Sequence, residues 1–309
     1  MQAGDDRAQP VMVTRALRRG WWKRYRSVVY LVIAALIFLT PVVLTHYKNV
    51  EQNRIAEEYS RNVAQLDPAE RDAALAAARD YNSRLPEFGA PDPWTTGPDK
   101  NSEEYREYLG HLDAFDNMAR LRAPSVGIDL PVYHGTDSSV LSHGVGHLYG
   151  TALPVGGAGT HSVLTGHTGL ATLTMFDNLT HIREGEVFTV EVMGEKLAYK
   201  VTSIETVLPE DIETIRPVVD KDLLTLVTCT PYGINSHRLL VHGERTELPG
   251  NIEQEYHSPW QPWMIAAVII GLFVLLYLLW WIRSQRRKRH AAEGVDASAD
   301  SKTIKTDNS

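Results

Sequence analysis

The sequence predicts a mainly β protein, a sandwich or closed barrel, with a membrane-spanning helix on each side of it. Short β-prone runs separated by turn signals recur through residues 113–248, which is typical of closed or stacked β architectures. Two long uncharged stretches lie outside this region, one towards each end of the 309-residue sequence. The β-rich region is therefore the candidate functional domain.

The composition bounds the class of function. Hydrophobic residues make up 43% of the chain and charged residues 22%, which fits a globular protein. The formal net charge of -7 argues against a nucleic-acid partner. We expect no cofactor.

The first uncharged stretch covers residues 28–44 and follows a polar, then basic segment, residues 1–27. A helix of this length spans about 26 Å, enough to cross a bilayer with help from its flanks. A cleaved signal peptide is the alternative, but the exit around Pro41 has no small-x-small cleavage pattern. The sequence favours an uncleaved anchor.

The second uncharged stretch covers residues 264–282, after a linker predicted at 251–263. A buried core helix is the alternative to a span, and tryptophans at both ends together with a dense basic flank argue against it. The flanking tryptophans and the basic residues that follow are Trp260, Trp263, Trp280, Trp281, Arg283, Arg286, Arg287, Lys288 and Arg289. Basic residues before the first span and after the second place both termini in the cytoplasm, with 283–309 as a basic, disordered tail. The protein is then a two-pass protein of the cell membrane, with its central domain outside.

Residues 45–85 are predicted to form an N-terminal helical region of two helices that carry the central domain away from the membrane. Asp67 suits a helix N-cap, Pro68 the first helical position and Glu70 the third. The Ala-rich run that follows has high helix propensity.

Residues 86–100 are predicted to form a loop, because prolines and glycines exclude a regular helix or a central strand. By composition alone the segment is a linker. Trp94, close to Asp92 and Pro93, argues against a simple linker, because an indole is costly to leave in solvent. The three residues could instead form an adhesive tip on a mobile loop.

Within the predicted β-barrel or sandwich region, residues 101–250, six runs have strand character. They are 128–133, 162–165, 187–192, 196–204, 223–228 and 238–242. Met193-Gly194-Glu195 suits a hairpin turn between the third and fourth. Short helices are predicted near 172–179 and 209–213.

Cys229, the only cysteine, ends one predicted strand, and Arg238 begins the next. His167 follows another β-prone run in a glycine-flanked turn. A thiol, an imidazole and a guanidinium can supply the nucleophile, the acid/base and the oxyanion stabiliser of acyl transfer. Each also has a bland interpretation: a buried apolar cysteine, one of 12 histidines and a surface cation. From spacing alone the trio stays a hypothesis.

His143 and His147 have a spacing found in metal sites. Gly144 and Gly146 interrupt the helix that would align the two rings, and no cysteine or glutamate ligand stands beside them. We expect no metal site.

Several motifs together resemble sortases, the cysteine transpeptidases of Gram-positive cell surfaces. The run 225–229 matches the TLxTC signature, 164–167 matches the stretch around the family histidine, and Arg238 falls at the family arginine. The runs 150–157 and 228–238 resemble the pilin-polymerising class C branch. Asp92-Pro93-Trp94 is similar to the lid motif of that class, and a span at each end is a further mark of it.

The resemblance implies an eight-stranded sortase-type β-barrel with short helices. Cys229 would cleave an LPxTG-like signal between Thr and Gly as a thioacyl enzyme, with His167 and Arg238 as its catalytic partners. A lysine of the next pilin subunit would then accept the acyl group. In the lid, Asp92 would engage Arg238, and Trp94 would cover Cys229 or His167. The alternatives are a sortase that attaches proteins to a cell-wall precursor and a membrane-anchored, catalytically inactive binding module.

Overall fold

The computed structural model describes residues 10–85, 98–209, 211, 215–250 and 260–306, with side chains from 26 onwards and, after 285, only that of Arg287. The chain divides into two compact units. One contains the terminal segments, Met1–Val43 and Trp260–Ser309, and the other is Leu44–Pro259.

The terminal unit is helical. It contains the first part of helix α1, which is Pro10–Gln65, and helix α5, which is Pro262–Thr306. Their stretches Arg26–Gln65 and Pro262–Gln285 are long and apolar enough to cross a membrane, and most of their side chains are exposed. The sequence predicts a disordered tail, whereas α5 continues to Thr306, which the helix propensity of its alanines and charged residues accommodates.

The predicted helical region consists of the last part of α1 and of helix α2, Pro68–Arg84. Asp67 caps α2 by accepting a hydrogen bond from the Ala69 amide at 2.8 Å, as the sequence predicts. Both helices pack on the β domain. The buried Tyr59 hydroxyl of α1 donates to the Met118 carbonyl at 2.7 Å and accepts from the Met193 amide at 3.0 Å.

Eight strands close into a barrel in the order β1-β2-β3-β4-β7-β8-β6-β5. The strands are β1 Ala119–Ala123, β2 Ile128–His134, β3 Val145–His147, β4 Thr160–Thr165, β5 Val187–Val192, β6 Glu195–Val207, β7 Asp222–Thr230 and β8 His237–Thr246. The closed eight-stranded barrel is confirmed, and the six predicted runs correspond to β2 and β4–β8. The other two, β1 and β3, are short and carry arginine or glycine, which weakens their strand signal.

Short helices and turns connect the strands. Helix α3 is Glu103–Leu109, α4 is Ser138–Leu141, and 3-10 turns cover Pro124–Val126 and Asp177–His181. The helix predicted near 172–179 is thus a 3-10 turn that starts later. Met193 and Gly194 have positive φ values of 45° and 83° in the β5–β6 turn, where a glycine carries no Cβ penalty.

The β4–β7–β8 part of the barrel buries different residues on its two faces. Leu164, Leu226 and Val241 belong to the main core. Val163, Val227 and Leu240, each next to one of these residues on its strand, form a second cluster with Leu148 and Ile215, the outer cluster. Because side chains alternate along a strand, Cys229 lies on the same face as Val227, beside the outer cluster.

Candidate active site

Cys229 on β7 and Arg238 on β8 are direct cross-strand partners. Antiparallel partners have Cβ atoms about 4.5–5.5 Å apart and project to the same face. Both side chains are buried, with 7% of Cys229 and 5% of Arg238 exposed. The ladder therefore places a thiol and a guanidinium side by side in a largely water-excluded setting.

The β7–β8 turn orients the arginine. Arg238 Nη1 donates to the carbonyl of Asn235 at 3.3 Å and to that of His237 at 3.4 Å. Asn235 has a φ of 59°, a left-handed conformation that asparagine tolerates better than most residues. The conformation of Asn235 thus turns its carbonyl towards the Arg238 guanidinium, which explains why an asparagine suits this position.

His167 lies in a loop that is fastened to the residue before the cysteine. The Thr228 hydroxyl donates to the Gly166 carbonyl at 2.7 Å, and the Thr168 and Thr228 hydroxyls are 2.6 Å apart. Because the Thr228 proton is engaged with Gly166, Thr168 is the donor to Thr228. Both chain neighbours of His167 are therefore bound to Thr228, which brings the histidine to the end of β7 where Cys229 stands.

The same loop is supported from its other side. The Phe176 amide donates to the His167 carbonyl at 3.1 Å. The Gly169 amide donates to Asp177 Oδ1 at 2.7 Å. A Cβ on Gly166 would lie 2.7 Å from the Phe176 ring, so the close contact under the loop requires glycine there.

Burial shifts the titration of two groups in this loop. It lowers the pKa of the half-buried His167, which favours the neutral imidazole, the form that accepts a proton from a thiol. Burial also raises the pKa of Asp177 to about 6, against the opposing effect of the Gly169 hydrogen bond. The site can thus provide a nucleophile, a neutral base and a fixed cation.

Next to the thiol, the outer cluster forms an apolar floor. Val227 lies two residues before Cys229 on β7, and Leu240 two residues after Arg238 on β8. Val163 of β4 and Ile215 of the β6–β7 connection complete this side of the floor. These side chains are themselves buried, so the wall of the barrel beside the thiol is apolar.

The other predicted residues are placed less directly. Asp92, Pro93 and Trp94 lie outside the described residues. His147 has both ring nitrogens engaged, Nδ1 with the Tyr108 hydroxyl at 3.0 Å and Nε2 with the Ala152 carbonyl at 2.8 Å. His143 instead packs on the Tyr133 ring, with centroids 4.7 Å apart.

Three residues of the site were not predicted from the sequence. Thr228 stands inside the recognised signature, which marked the segment but not the hydroxyl's role. Thr168 and Asp177 become visible only through their contacts with Thr228 and Gly169.

Comparison with known proteins gives the class. A model of the sortase domain matches residues 121–246. The curated sortase A of Streptococcus agalactiae is 31% identical over 125 residues, covering 39% of this chain and 49% of the relative, so the match spans about half of that protein.

Solved structures match over nearly their full lengths. Sortase C-1 from Actinomyces oris is 50% identical, with a TM-score of 0.56, covering 58% of this chain and 99% of that one. Sortase C from Streptococcus pneumoniae, reported to give insight into catalysis and pilin substrate specificity, is 36% identical, with a TM-score of 0.58 and coverage of 63% and 97%.

The closed barrel, the matched domain and these identities place the chain in the sortase family. Sortases are cysteine transpeptidases. The solved structures that are similar to this chain include class C sortases.

Proposed function

We propose that the protein is a membrane-anchored class C sortase that polymerises pilin. Cys229 attacks the carbonyl carbon of the threonine in an LPxTG-like signal, and the Thr–Gly bond breaks to leave a thioester. A pilin lysine amine then attacks the thioester, which forms an isopeptide bond and releases the thiol.

In this reaction His167 accepts the thiol proton and returns it to the leaving glycine amine. Arg238 stabilises the oxyanion of each tetrahedral intermediate. The observation that carries the proposal is the Cys229–Arg238 pair on adjacent strands, with the His167 loop bound to Thr228 beside it. This arrangement brings the three groups needed for acyl transfer to one end of β7.

The apolar floor and the structural neighbours support the substrate class. The leucine and proline of an LPxTG signal need apolar surroundings on one side of the cysteine, and the buried Val163, Val227 and Leu240 make that side apolar. The pilin link rests on the Streptococcus pneumoniae sortase C, to which the chain is 36% identical over 97% of that structure. A pilin lysine is accordingly the proposed acceptor.

The proposed location follows from the two apolar helices and their basic flanks. Both termini lie in the cytoplasm, and the barrel faces outward. Pilin precursors held in the same bilayer then meet the barrel within a thin layer, which raises their effective concentration.

The segment 86–100 is proposed to be the lid, with Asp92 on Arg238 and Trp94 over Cys229 or His167. Support comes from the Asp-Pro-Trp sequence and from the need to protect a thiol outside the cell, where it would otherwise be open to oxidation.

The full-length protein in detergent, incubated with a pilin that carries an LPxTG signal, tests the function. The expected result is a ladder of high-mass products whose junctions, by mass spectrometry, are threonine–lysine isopeptides. Cys229→Ala should form none, and a ladder with that variant would refute the nucleophile assignment. Joining to cell-wall peptide alone would favour the anchoring sortase, and no product at all would favour a binding module.

A further inference from the structure

Thr165, the last residue of β4, has a buried polar group that the fold does not use. The side chain is 0% exposed, and its Oγ1 has no hydrogen-bond partner among the described residues. Buried hydroxyls without a partner are uncommon because folding removes their water without replacing it. The hydroxyl therefore calls for an explanation.

The position of Thr165 in the sheet relates it to the thiol. Thr165 pairs with Val227 on the parallel strand β7. Val227 lies two residues before Cys229. Residues two apart on a strand are about 6.6 Å apart and point to the same face. Thr165 therefore shares the face of Cys229, and the loop that carries His167 begins directly after it.

The surroundings of this hydroxyl on that face are apolar. Val163, Val227 and Leu240, together with Ile215 of the β6–β7 connection, form the floor there. A peptide bound beside such apolar residues loses water from its main-chain N–H and C=O groups, and each then needs a partner. A threonine hydroxyl can both donate and accept, so it can serve either group.

We propose that the Thr165 hydroxyl hydrogen-bonds a main-chain amide group of the sorting peptide, within two residues of the scissile bond. It is a positioning residue of the substrate site, and this inference rests on the function proposed above. The hydroxyl has no partner among the described residues, and the bound peptide supplies one. The bond therefore favours the occupied state.

A second hydroxyl on the same strand provides a matched control. Ser162 Oγ is also buried and without a partner among the described residues. Ser162 lies three positions before Thr165 on β4 and therefore points to the opposite face of the strand. It pairs with Leu224 of the main core, so it faces away from Cys229. If Thr165 binds the substrate, removal of its hydroxyl should change KM, whereas removal of the Ser162 hydroxyl should not.

The test compares full-length Thr165→Val, Thr165→Ser and Ser162→Ala in detergent, with an LPxTG peptide bearing a fluorophore and a quencher. Valine keeps the shape and removes the hydroxyl. Thr165→Val is expected to lower kcat/KM roughly fivefold to tenfold, the effect of one neutral hydrogen bond, mainly through a higher KM. Its Tm should stay at or above that of the parent, because no intramolecular bond is lost. Thr165→Ser and Ser162→Ala should keep the parent's KM.

Two results overturn the inference while the proposed function stands. One is a parent-like KM for Thr165→Val, and the other is a Tm lowered by several degrees, which would show that the hydroxyl supports the fold. Failure of both the parent and Ser162→Ala to cleave the peptide would overturn the proposed function, and the inference with it.

Discussion

Cys229 and Arg238 face each other as direct partners of the antiparallel β7–β8 ladder. They are nine positions apart in the sequence, yet their relative position depends on the ladder and not on the loop between them. The backbone hydrogen bonds of β7 and β8 thus fix the spacing of the thiol and the guanidinium, while the turn only aims the guanidinium through the carbonyls of Asn235 and His237.

Arg238→Lys should lower turnover by a factor on the order of 10²–10³, as the loss of one oxyanion donor does in other enzymes. Lysine keeps the charge but lacks the planar fork of donors, so it cannot hold two turn carbonyls and an oxyanion together. Steady-state cleavage of the LPxTG peptide measures the change. Arg245→Lys, on the same strand but beside Asp222 at 3.9 Å, is the matched control and should be near the parent. Equal rates for the two variants would contradict the assigned role of Arg238.

Thr228→Val should reduce kcat by roughly tenfold to a hundredfold, since displacement of a catalytic group by about 1 Å has effects of this size. The variant loses the bonds to Gly166 and Thr168 that hold both sides of His167. It should also lose about 1–3 kcal/mol of stability, because the Gly166 carbonyl is left without its donor.

Thr228→Ser keeps the hydroxyl and should restore most of the activity. Urea unfolding and peptide cleavage, measured on the same preparations, separate the two effects. A Thr228→Val variant that is less stable but retains the parent's kcat would show that Thr228 supports the fold without positioning His167.

Asp177→Asn should stabilise the protein at neutral pH and have little effect near pH 4. Burial raises the pKa of Asp177 from 3.8 to about 6, so the folded state favours the protonated acid. The associated stability is fully present below the unfolded pKa and is lost as the pH rises through about 6. Asparagine keeps an oxygen that can accept from the Gly169 amide without carrying the charge.

Urea unfolding from pH 4 to pH 8 measures this difference between variant and parent. The difference should increase between pH 4 and pH 6 and then level off. Asp72→Asn, exposed on α2, is the matched control and should show no such step. A difference that is constant across this range would mean that Asp177 is not the titrating group.

The double variant Asp92→Ala, Trp94→Ala should react faster with a thiol reagent at Cys229, because the proposed lid would no longer cover a side chain that is 7% exposed. Labelling by a maleimide, followed by mass spectrometry, measures the rate, and the sole cysteine makes the signal unambiguous. Tyr232→Ala, an exposed residue of the β7–β8 turn, serves as a control for general loosening. Labelling of the double variant no faster than that of the parent would argue against a lid over the thiol.

Much of the architecture could be predicted because its signals are local. The uncharged runs mark two long apolar helices, Asp67-Pro68 marks a helix start, and the β-prone runs mark six of eight strands. The short strands β1 and β3 were missed because five and three residues carry too little pattern, and pairing with their neighbours decides their conformation. The helix near 172–179 was misjudged in a similar way, since contacts of Phe176 and Asp177 with the His167 loop favour a later 3-10 turn.

By itself, the sequence determined the class of chemistry and the residue types of the proposed site, because Cys229, His167 and Arg238 stand in recognisable local motifs. Only the tertiary structure decided which groups meet. Strand register sets Cys229 against Arg238, alternation puts Thr165 and the apolar floor on the face of the thiol, and Thr228 binds a loop that is 60 residues away in sequence. Such contacts depend on how distant strands pair, and no local pattern records that pairing.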